Sequence, residues 1–121
     1  MMPTTTTLTR AETIARLNDR ARLGLDRTSK TVITRSCLDT FCAGDTASGL
    51  LAQAELLKAV RNHRFENDAH GERDFGAFEF RGEKLFFKVD YYDLELTYGS
   101  EDPADASQTT RVITIMLASD Y

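Results

Sequence analysis

The sequence has 121 residues, about the length that closes one hydrophobic core, and it leaves no room for a separate cofactor domain. Hydrophobic residues make up 41% and charged residues 28%, which excludes a disordered chain and a disulfide-dense scaffold. The formal net charge of −4 is unevenly spread, because residues 65–121 hold five basic residues against thirteen acidic ones. An acidic region of this kind repels nucleic acid and attracts basic surfaces.

No apolar run approaches the roughly 20 residues that a membrane span needs, and the N-terminus lacks the pattern of an export signal. We therefore expect a cytoplasmic protein with no membrane contact. The two cysteines, Cys37 and Cys42, match neither a redox motif nor a zinc-binding pattern. They are expected to be reduced and to pack as small hydrophobic side chains.

The N-terminal residues 1–8, which include four consecutive threonines, predict a flexible tail, and a single domain is expected over residues 9–121. Thr9 and Glu12 have the spacing of a capping box, which predicts the start of a first helix. Gly24 indicates the end of that helix.

A second helix is predicted to begin at a cap, either Asp45 or Ser48, and to run to about Arg64. Apolar residues recur along it at helical spacing, and they predict one buried face. That face is expected to comprise Leu50, Leu51, Ala54, Leu57 and Val60.

The remaining pattern favours strands. β-Branched residues predict a strand over residues 31–38, and residues 76–81 and 84–92 predict a hairpin around Gly82. Alternation from Leu94 to Tyr98 adds a third strand, and residues 111–118 favour a buried strand, with a short helix as the alternative. The sequence therefore predicts an α+β fold, with two helices packed on an antiparallel sheet of about four to five strands around a β-meander.

Potential metal ligands are densest in one polar segment, where four of them alternate: Asp68, His70, Glu72 and Asp74. An extended chain would place all four on one side, where they could hold a divalent ion. The spacing matches no established metal motif, however, so the favoured interpretation is a polar turn, with no metal, no cofactor and no catalytic residue. The alternative is a small metal-dependent hydrolase that uses the His70 loop.

The first helix offers another alternative, a nucleic-acid-binding module. Arg16 and Arg20 lie one turn apart and could grip phosphates, with Arg22 nearby. The aromatic or groove-reading residues that usually accompany such a pair are missing, so direct binding of nucleic acid is expected to be weak.

Several spaced motifs occur in one order along the chain: residues 67–76 (NDAHGERDFG), residues 88–93 (KVDYYD) and residues 110–112 (TRV). The series resembles a family of small bacterial proteins of unknown function, over roughly residues 10–121. The resemblance implies a gene found on plasmids, prophages or other mobile elements, and it implies no catalytic residues. The sequence departs from the family pattern at Ala69, Arg73 and Ala106, and the change at Arg73 weakens a metal site in that segment.

The acidic C-terminal half and the resemblance together predict a non-enzymatic protein-binding inhibitor or regulator. Its expected target is a nucleic-acid-processing or defence enzyme such as a CRISPR effector, whose basic channel acidic side chains could occupy in place of phosphates. The predicted partner-binding surface comprises Tyr92, Asp93, Glu95, Glu101, Asp102 and Asp105.

Overall fold

The computed structural model describes residues 8–66, 68 and 70–121, so most of the predicted tail, together with Asn67 and Ala69, lies outside the described residues. The described part of the chain contains three α-helices, none of them long and apolar enough to cross a membrane. They are α1 Arg10–Arg22, α2 Arg35–Phe41 and α3 Thr46–Arg61. Its four strands are β1 Lys30–Ile33, β2 Phe75–Phe80, β3 Glu83–Tyr92 and β4 Thr110–Leu117.

The four strands form one sheet in the order β1-β4-β3-β2. β4 pairs in parallel with β1 and antiparallel with β3, so the sheet is mixed rather than purely antiparallel. The α+β class is confirmed, and residues 111–118 belong to a strand. A parallel pair needs a long crossover, and here the chain between β1 and β4 supplies it with α2, α3 and the hairpin.

The predicted cap at Thr9 begins α1, since its Oγ1 atom accepts a hydrogen bond of 3.1 Å from the Glu12 amide. After the last turn Gly24 adopts a φ of +78°, and its amide donates to the Ala21 carbonyl, which ends the helix as expected. The buried residues of α1 include one polar side chain, that of Asn18, which is 1% exposed.

Helix α2 was not anticipated from the sequence, where residues 31–38 favoured a continuous strand. The strand ends at Ile33, because the Thr34 side chain accepts a hydrogen bond from the Cys37 amide and caps a helix instead. The fold therefore has three helices rather than two. Cys37 is fully buried on α2, and burial raises the pKa of its thiol to about 11, while both cysteines are free.

Helix α3 begins at the predicted Asp45 cap and ends at Arg61, one turn before the predicted end. Its buried face differs from the prediction: Leu50, Leu51 and Ala54 are exposed, while Val60 is buried as expected. The residues that pack inward are small at one end and large at the other: Gly49, Ala52, Leu56 and Val60.

The predicted hairpin is present, and the two residues between β2 and β3 both have positive φ, 51° at Arg81 and 83° at Gly82. Positive φ at both positions is typical of a type I′ turn, whose twist matches that of the strands. The strand predicted from Leu94 to Tyr98 is not formed, because the chain leaves the sheet after Tyr92 and turns.

The core lies between the helices and one face of the two central strands. Fully buried side chains such as Leu56 and Phe87 meet there, and Phe41 packs edge-on against Phe80 at a ring-centroid distance of 5.0 Å. The sheet contributes alternate residues of β3 and β4 to this core: Leu85, Phe87, Val89, Ile113 and Ile115.

Candidate functional site

A short loop of residues 93–99 follows β3, and the Asp93 side chain closes it. The Asp93 carboxylate accepts hydrogen bonds from the amides of Thr97, at 2.9 Å, and Tyr98, at 3.2 Å. The Asp93 amide in turn donates to the Tyr98 carbonyl at 2.8 Å. An aspartate that bonds amides a few residues further along stabilises a tight turn, so this loop is formed before any partner binds.

Three apolar side chains of the 93–99 loop are exposed to solvent. The exposed fractions are 57% for Leu94, 41% for Leu96 and 74% for Tyr98. Leu96 has a φ of +59°, in the left-handed region, which costs a non-glycine residue roughly 1–2 kcal/mol. A loop that needed only to turn would favour glycine or asparagine there, and leucine is an unusual choice for this conformation.

A groove of about 380 Å³ lies beside this loop, and acidic side chains border it. Glu95 and Glu101 are exposed at its walls, together with Leu94 and Tyr98. Among the described residues that line it there is no lysine or arginine. The groove therefore combines apolar and negative surface, which suits a ligand that is basic and partly apolar.

Three of the six residues predicted to bind a partner line this groove, and a fourth lies next to it. Asp93, Glu95 and Glu101 line it directly, and Tyr92 forms an isolated backbone bridge with Gly99 at its edge. Asp93 serves mainly to close the loop, so the glutamates carry the charge that faces solvent.

The other two, Asp102 and Asp105, lie in the following loop, and the protein itself uses their carboxylates. Asp102 Oδ1 accepts from Arg10 Nη1 at 2.5 Å. The Asp105 carboxylate accepts from the Ser107 amide at 2.9 Å, and its hydrogen bonds to Ser107 hold the pKa of that carboxyl below its usual value. These two aspartates shape the loop, and no local pattern in the sequence distinguishes them from the glutamates.

A buried polar network centred on Arg111 lies beneath these loops, and sequence reasoning missed it. Arg111 is 2% exposed, its Nε atom donates to Asn18 Oδ1 at 2.7 Å, and its Nη2 atom donates to the Pro103 carbonyl. Its guanidinium carbon lies 5.1 Å from the centre of the Tyr91 ring, and desolvation lowers the pKa of Arg111. The signal available in the sequence was an arginine among the β-branched residues of a buried strand.

The same network reaches the loop that precedes β2, through Glu72. Asn18 Nδ2 donates to Tyr91 Oη at 2.8 Å and to the Glu72 carbonyl at 3.0 Å, and Tyr91 Oη donates to Glu72 Oε1 at 2.9 Å. Burial raises the pKa of the Tyr91 hydroxyl, which is a proton donor at neutral pH even without this shift. Buried side chains of α1, β3 and β4 therefore hold two loops in place, the one before β2 and the one before β4.

Among the described residues of the loop before β2, the backbone does not stay extended as an alignment of the four potential metal ligands would need. Gly71 and Arg73 both have positive φ, 71° and 52°, which turn the chain. The Asp68 carboxylate accepts from the Arg73 amide at 3.0 Å, and the Glu72 carboxylate is bonded to Tyr91. In the residues that the structure describes, no three side chains of the metal-binding types form a group that could hold an ion.

Both histidines line a second cavity, of about 570 Å³, between the end of α3 and the start of β2. The His63 ring packs edge-on against Phe65 and Phe87, at centroid distances of 4.7 and 5.2 Å. Burial lowers the pKa of His63 and raises the pKa of Asp74, which lines the same cavity. Both shifts disfavour the charged form of the side chain, and in both cases burial is the largest cause.

The basic surface of α1 that could bind nucleic acid has fewer exposed arginines than the sequence indicates. Arg16 and Arg20 are exposed on α1, but Arg22 is directed into the protein. Its Nη1 atom donates to the carbonyls of Val60 and Arg61, at the C-terminal end of α3. This favourable contact between a cation and a helix C-terminus gives Arg22 a structural role.

Comparison with known proteins assigns a family but no activity. No curated protein and no solved structure matches this chain. The model of one family, described as "Protein of unknown function (DUF3768)", matches residues 40–120, which is about two thirds of the chain and includes both loops described above. The chain therefore belongs to this family of proteins of unknown function, DUF3768.

Proposed function

We propose that this protein is a binding protein that inhibits or regulates a partner protein through the 93–99 loop and the adjoining groove. One observation carries the proposal: a loop closed by Asp93 holds Leu94, Leu96 and Tyr98 exposed, with Leu96 at positive φ. A preformed loop loses little conformational entropy on binding. Exposed apolar and tyrosine side chains are also typical of the centre of protein interfaces.

The two glutamates define the chemistry of the partner. Glu95 and Glu101 give the rim of the groove a negative potential, so the complementary surface is apolar at its centre and rich in lysine or arginine around it. The nucleic-acid channels of processing enzymes, including CRISPR effectors, are rich in lysine and arginine, and carboxylates placed there would compete with phosphates. The charge of residues 65–121, five basic residues against thirteen acidic ones, supports such a partner, which this protein would meet in the cytoplasm.

Photo-crosslinking in living cells tests whether the loop contacts a partner. A photoreactive amino acid is introduced at Tyr98 and, as a matched control, at Tyr121, since these tyrosines are 74% and 76% exposed. We expect one dominant crosslinked protein from position 98 that is absent from position 121, with the crosslink in a segment rich in lysine and arginine. Identical products from both positions would contradict the proposed contact.

Charge reversal with the purified partner tests the electrostatic part of the proposal. Glu95→Lys combined with Glu101→Lys should slow association at least about tenfold at low salt, because electrostatic steering is lost. Added salt should shrink this difference as the Debye length falls from about 10 Å at 0.1 M to about 3 Å at 1 M.

The matched control is the pair Glu79→Lys and Glu83→Lys, which makes the same change of charge at exposed positions of the hairpin. Association should be much less affected by this pair than by the groove pair. Equal effects of both pairs would show that net charge matters and the groove does not. An unchanged affinity after charge reversal at Glu95 and Glu101 would show that the partner recognises the shape of this surface and not its charge.

A further inference from the structure

The outer edge of β2 presents backbone groups that the sheet does not use. The hairpin turn pairs Phe80 with Glu83, and the Val89 amide donates to the Asp74 carbonyl at 2.8 Å. Residues of an antiparallel strand alternate between bonding to their partner strand and facing away, so the even-numbered residues of β2 bond to β3. The alternate residues direct their amides and carbonyls outward, where no other described residue bonds to them: Phe75, Ala77 and Glu79.

β2 also lacks the features that usually protect a sheet edge. Exposed edge strands are commonly very short or carry lysine or proline. The other edge strand, β1, follows this rule, since it has four residues and begins with Lys30. β2 has six residues, three of them phenylalanine, and it contains neither lysine nor proline. An extended segment of another chain can add to such an edge as a further strand.

The cavity of about 570 Å³ that both histidines line opens beside this edge, where β2 begins. Gly76 lies there on the face of the sheet that meets the helices, with the His63 and Phe87 rings against it. Residues that pair across two strands direct their side chains to the same face. In an added strand, the side chain opposite Gly76 would therefore point towards the cavity. Its two neighbours would lie on the opposite face, next to the half-exposed ring of Phe75.

The charges of the cavity favour a cation at that position. Three carboxylates line it, those of Glu66, Asp68 and Asp74, against the single arginine Arg64. Within the described part of the chain, neither Glu66 nor Asp74 forms an ion pair with a lysine or arginine. Burial raises the pKa of Asp74, and a cation beside its carboxylate would oppose that shift. A lysine or arginine side chain therefore complements the cavity.

We infer that β2 binds an extended segment of a partner protein by strand addition, with a lysine or arginine of that segment, flanked by apolar residues, in the cavity. A second copy of this chain does not meet the requirement through its own β2, because Phe75–Phe80 contains Glu79 and no basic residue. The inference goes beyond the proposed function, since it uses none of the residues of the 93–99 loop.

Two capped peptides of about seven residues, a typical strand length, test the site. One carries lysine at its centre between two valines, with threonine at the other positions, and the second has norleucine in place of the lysine. Norleucine keeps the length of the apolar stem and removes the charge. We expect the lysine peptide to bind at least about tenfold more tightly, with a difference that shrinks as salt is added. Equal affinities, or no binding of either peptide, would overturn the inference.

Hydrogen exchange with the lysine peptide bound tests the strand pairing itself. The amides of Ala77 and Glu79 face outward in the free protein, so their exchange should slow at least about tenfold in the complex. The amides of Gly76 and Phe78 already bond to β3 and should change much less. Protection that does not alternate along β2, or that appears elsewhere, would contradict strand addition.

Proline substitution removes a single outward amide from the edge. Ala77→Pro should weaken binding of the lysine peptide at least about tenfold while the bonds to β3 remain, because an edge strand tolerates proline where the amide faces solvent. Thr31→Pro is the matched control. Thr31 is exposed, and its amide faces away from β4, since the Thr34 amide, three residues on, donates to Ile115. Unchanged circular dichroism spectra would establish that both variants fold, and equal effects of the two on binding would overturn the inference.

Discussion

Replacing Arg111 with methionine measures what the buried network contributes to stability. The guanidinium donates to two acceptors, Asn18 Oδ1 and the Pro103 carbonyl, and lies over the Tyr91 ring. Each acceptor left unpaired costs about 1–3 kcal/mol, and the cation–π contact contributes about 0.5–2 kcal/mol. Methionine avoids the desolvation of a buried charge, which offsets part of this loss. We expect Arg111→Met to lower the free energy of unfolding by about 2–4 kcal/mol.

Urea denaturation gives this free energy, provided that the dependence on denaturant is unchanged between variants. Arg16→Met is the matched control, because Arg16 is exposed on α1, and its effect should stay within about 0.5 kcal/mol. A double-mutant cycle of Arg111→Met with Asn18→Ala should show a coupling energy of about 1.5–3 kcal/mol, the value for a hydrogen bond to a charged group.

An Arg111→Met variant as stable as the wild type would refute this reasoning, as would additive effects in the cycle with Asn18→Ala. Either result would mean that the network rearranges or admits water without loss. Since Arg111 holds the Pro103 carbonyl, we also expect the variant to loosen the loop next to Glu101, which hydrogen exchange of the loop amides would detect.

The histidine cavity and the strained loop residue give three more outcomes. The pKa of His63 lies below its unfolded value of 6.5, so the unfolded state binds more protons in that window and stability should fall as the pH drops below about 6.5. NMR titration should place its pKa lower than 6.5, and a higher pKa would contradict the burial argument. Gly76→Ala should cost about 1–3 kcal/mol, because the added Cβ would lie 2.8 Å from His63 Nε2 and closer still to the Phe87 ring. Gly99→Ala, whose Cβ meets nothing nearer than 3.8 Å, should leave thermal unfolding unchanged, and equal effects of the two would contradict the steric argument. Leu96→Gly should raise the free energy of unfolding by up to about 1 kcal/mol while weakening partner binding, and a loss of stability would show that the leucine supports the fold instead.

Elements that depend on neighbouring residues could be predicted from the sequence. The Thr9 cap, the Asp45 cap and the turn at Gly82 are each decided within a few residues, and all three are present. Helix α2 was missed because the strand preference of residues 31–33 was extended past Thr34, whose hydroxyl caps a helix over the residues that follow it. The strand predicted at residues 94–98 is not formed. Its evidence was the alternation of apolar residues, which also occurs in a turn whose amides donate to an aspartate.

Features that depend on residues far apart in the chain could not be predicted from the sequence. Leu50 and Leu51 lie on a helix with apolar residues on two opposite faces, so periodicity could not choose the buried face. Charge singled out the region of Glu95 and Glu101 as a predicted binding surface, but nothing local distinguishes them from Asp102, whose partner Arg10 is 92 residues away. The Arg111 network is hidden for the same reason, since it joins α1 to β4 across 93 residues.

The position of β4 has a consequence for how this protein is made. β4 is the last of the four strands along the chain, yet it lies inside the sheet, between β1 and β3. During synthesis on the ribosome, β1 therefore has no strand neighbour until residue 117 has emerged. The complete four-stranded sheet can form only after that. A message that stops before the codons of β4 would leave β1 without any strand neighbour and β3 with one edge unpaired, and such a chain would be prone to aggregation and proteolysis.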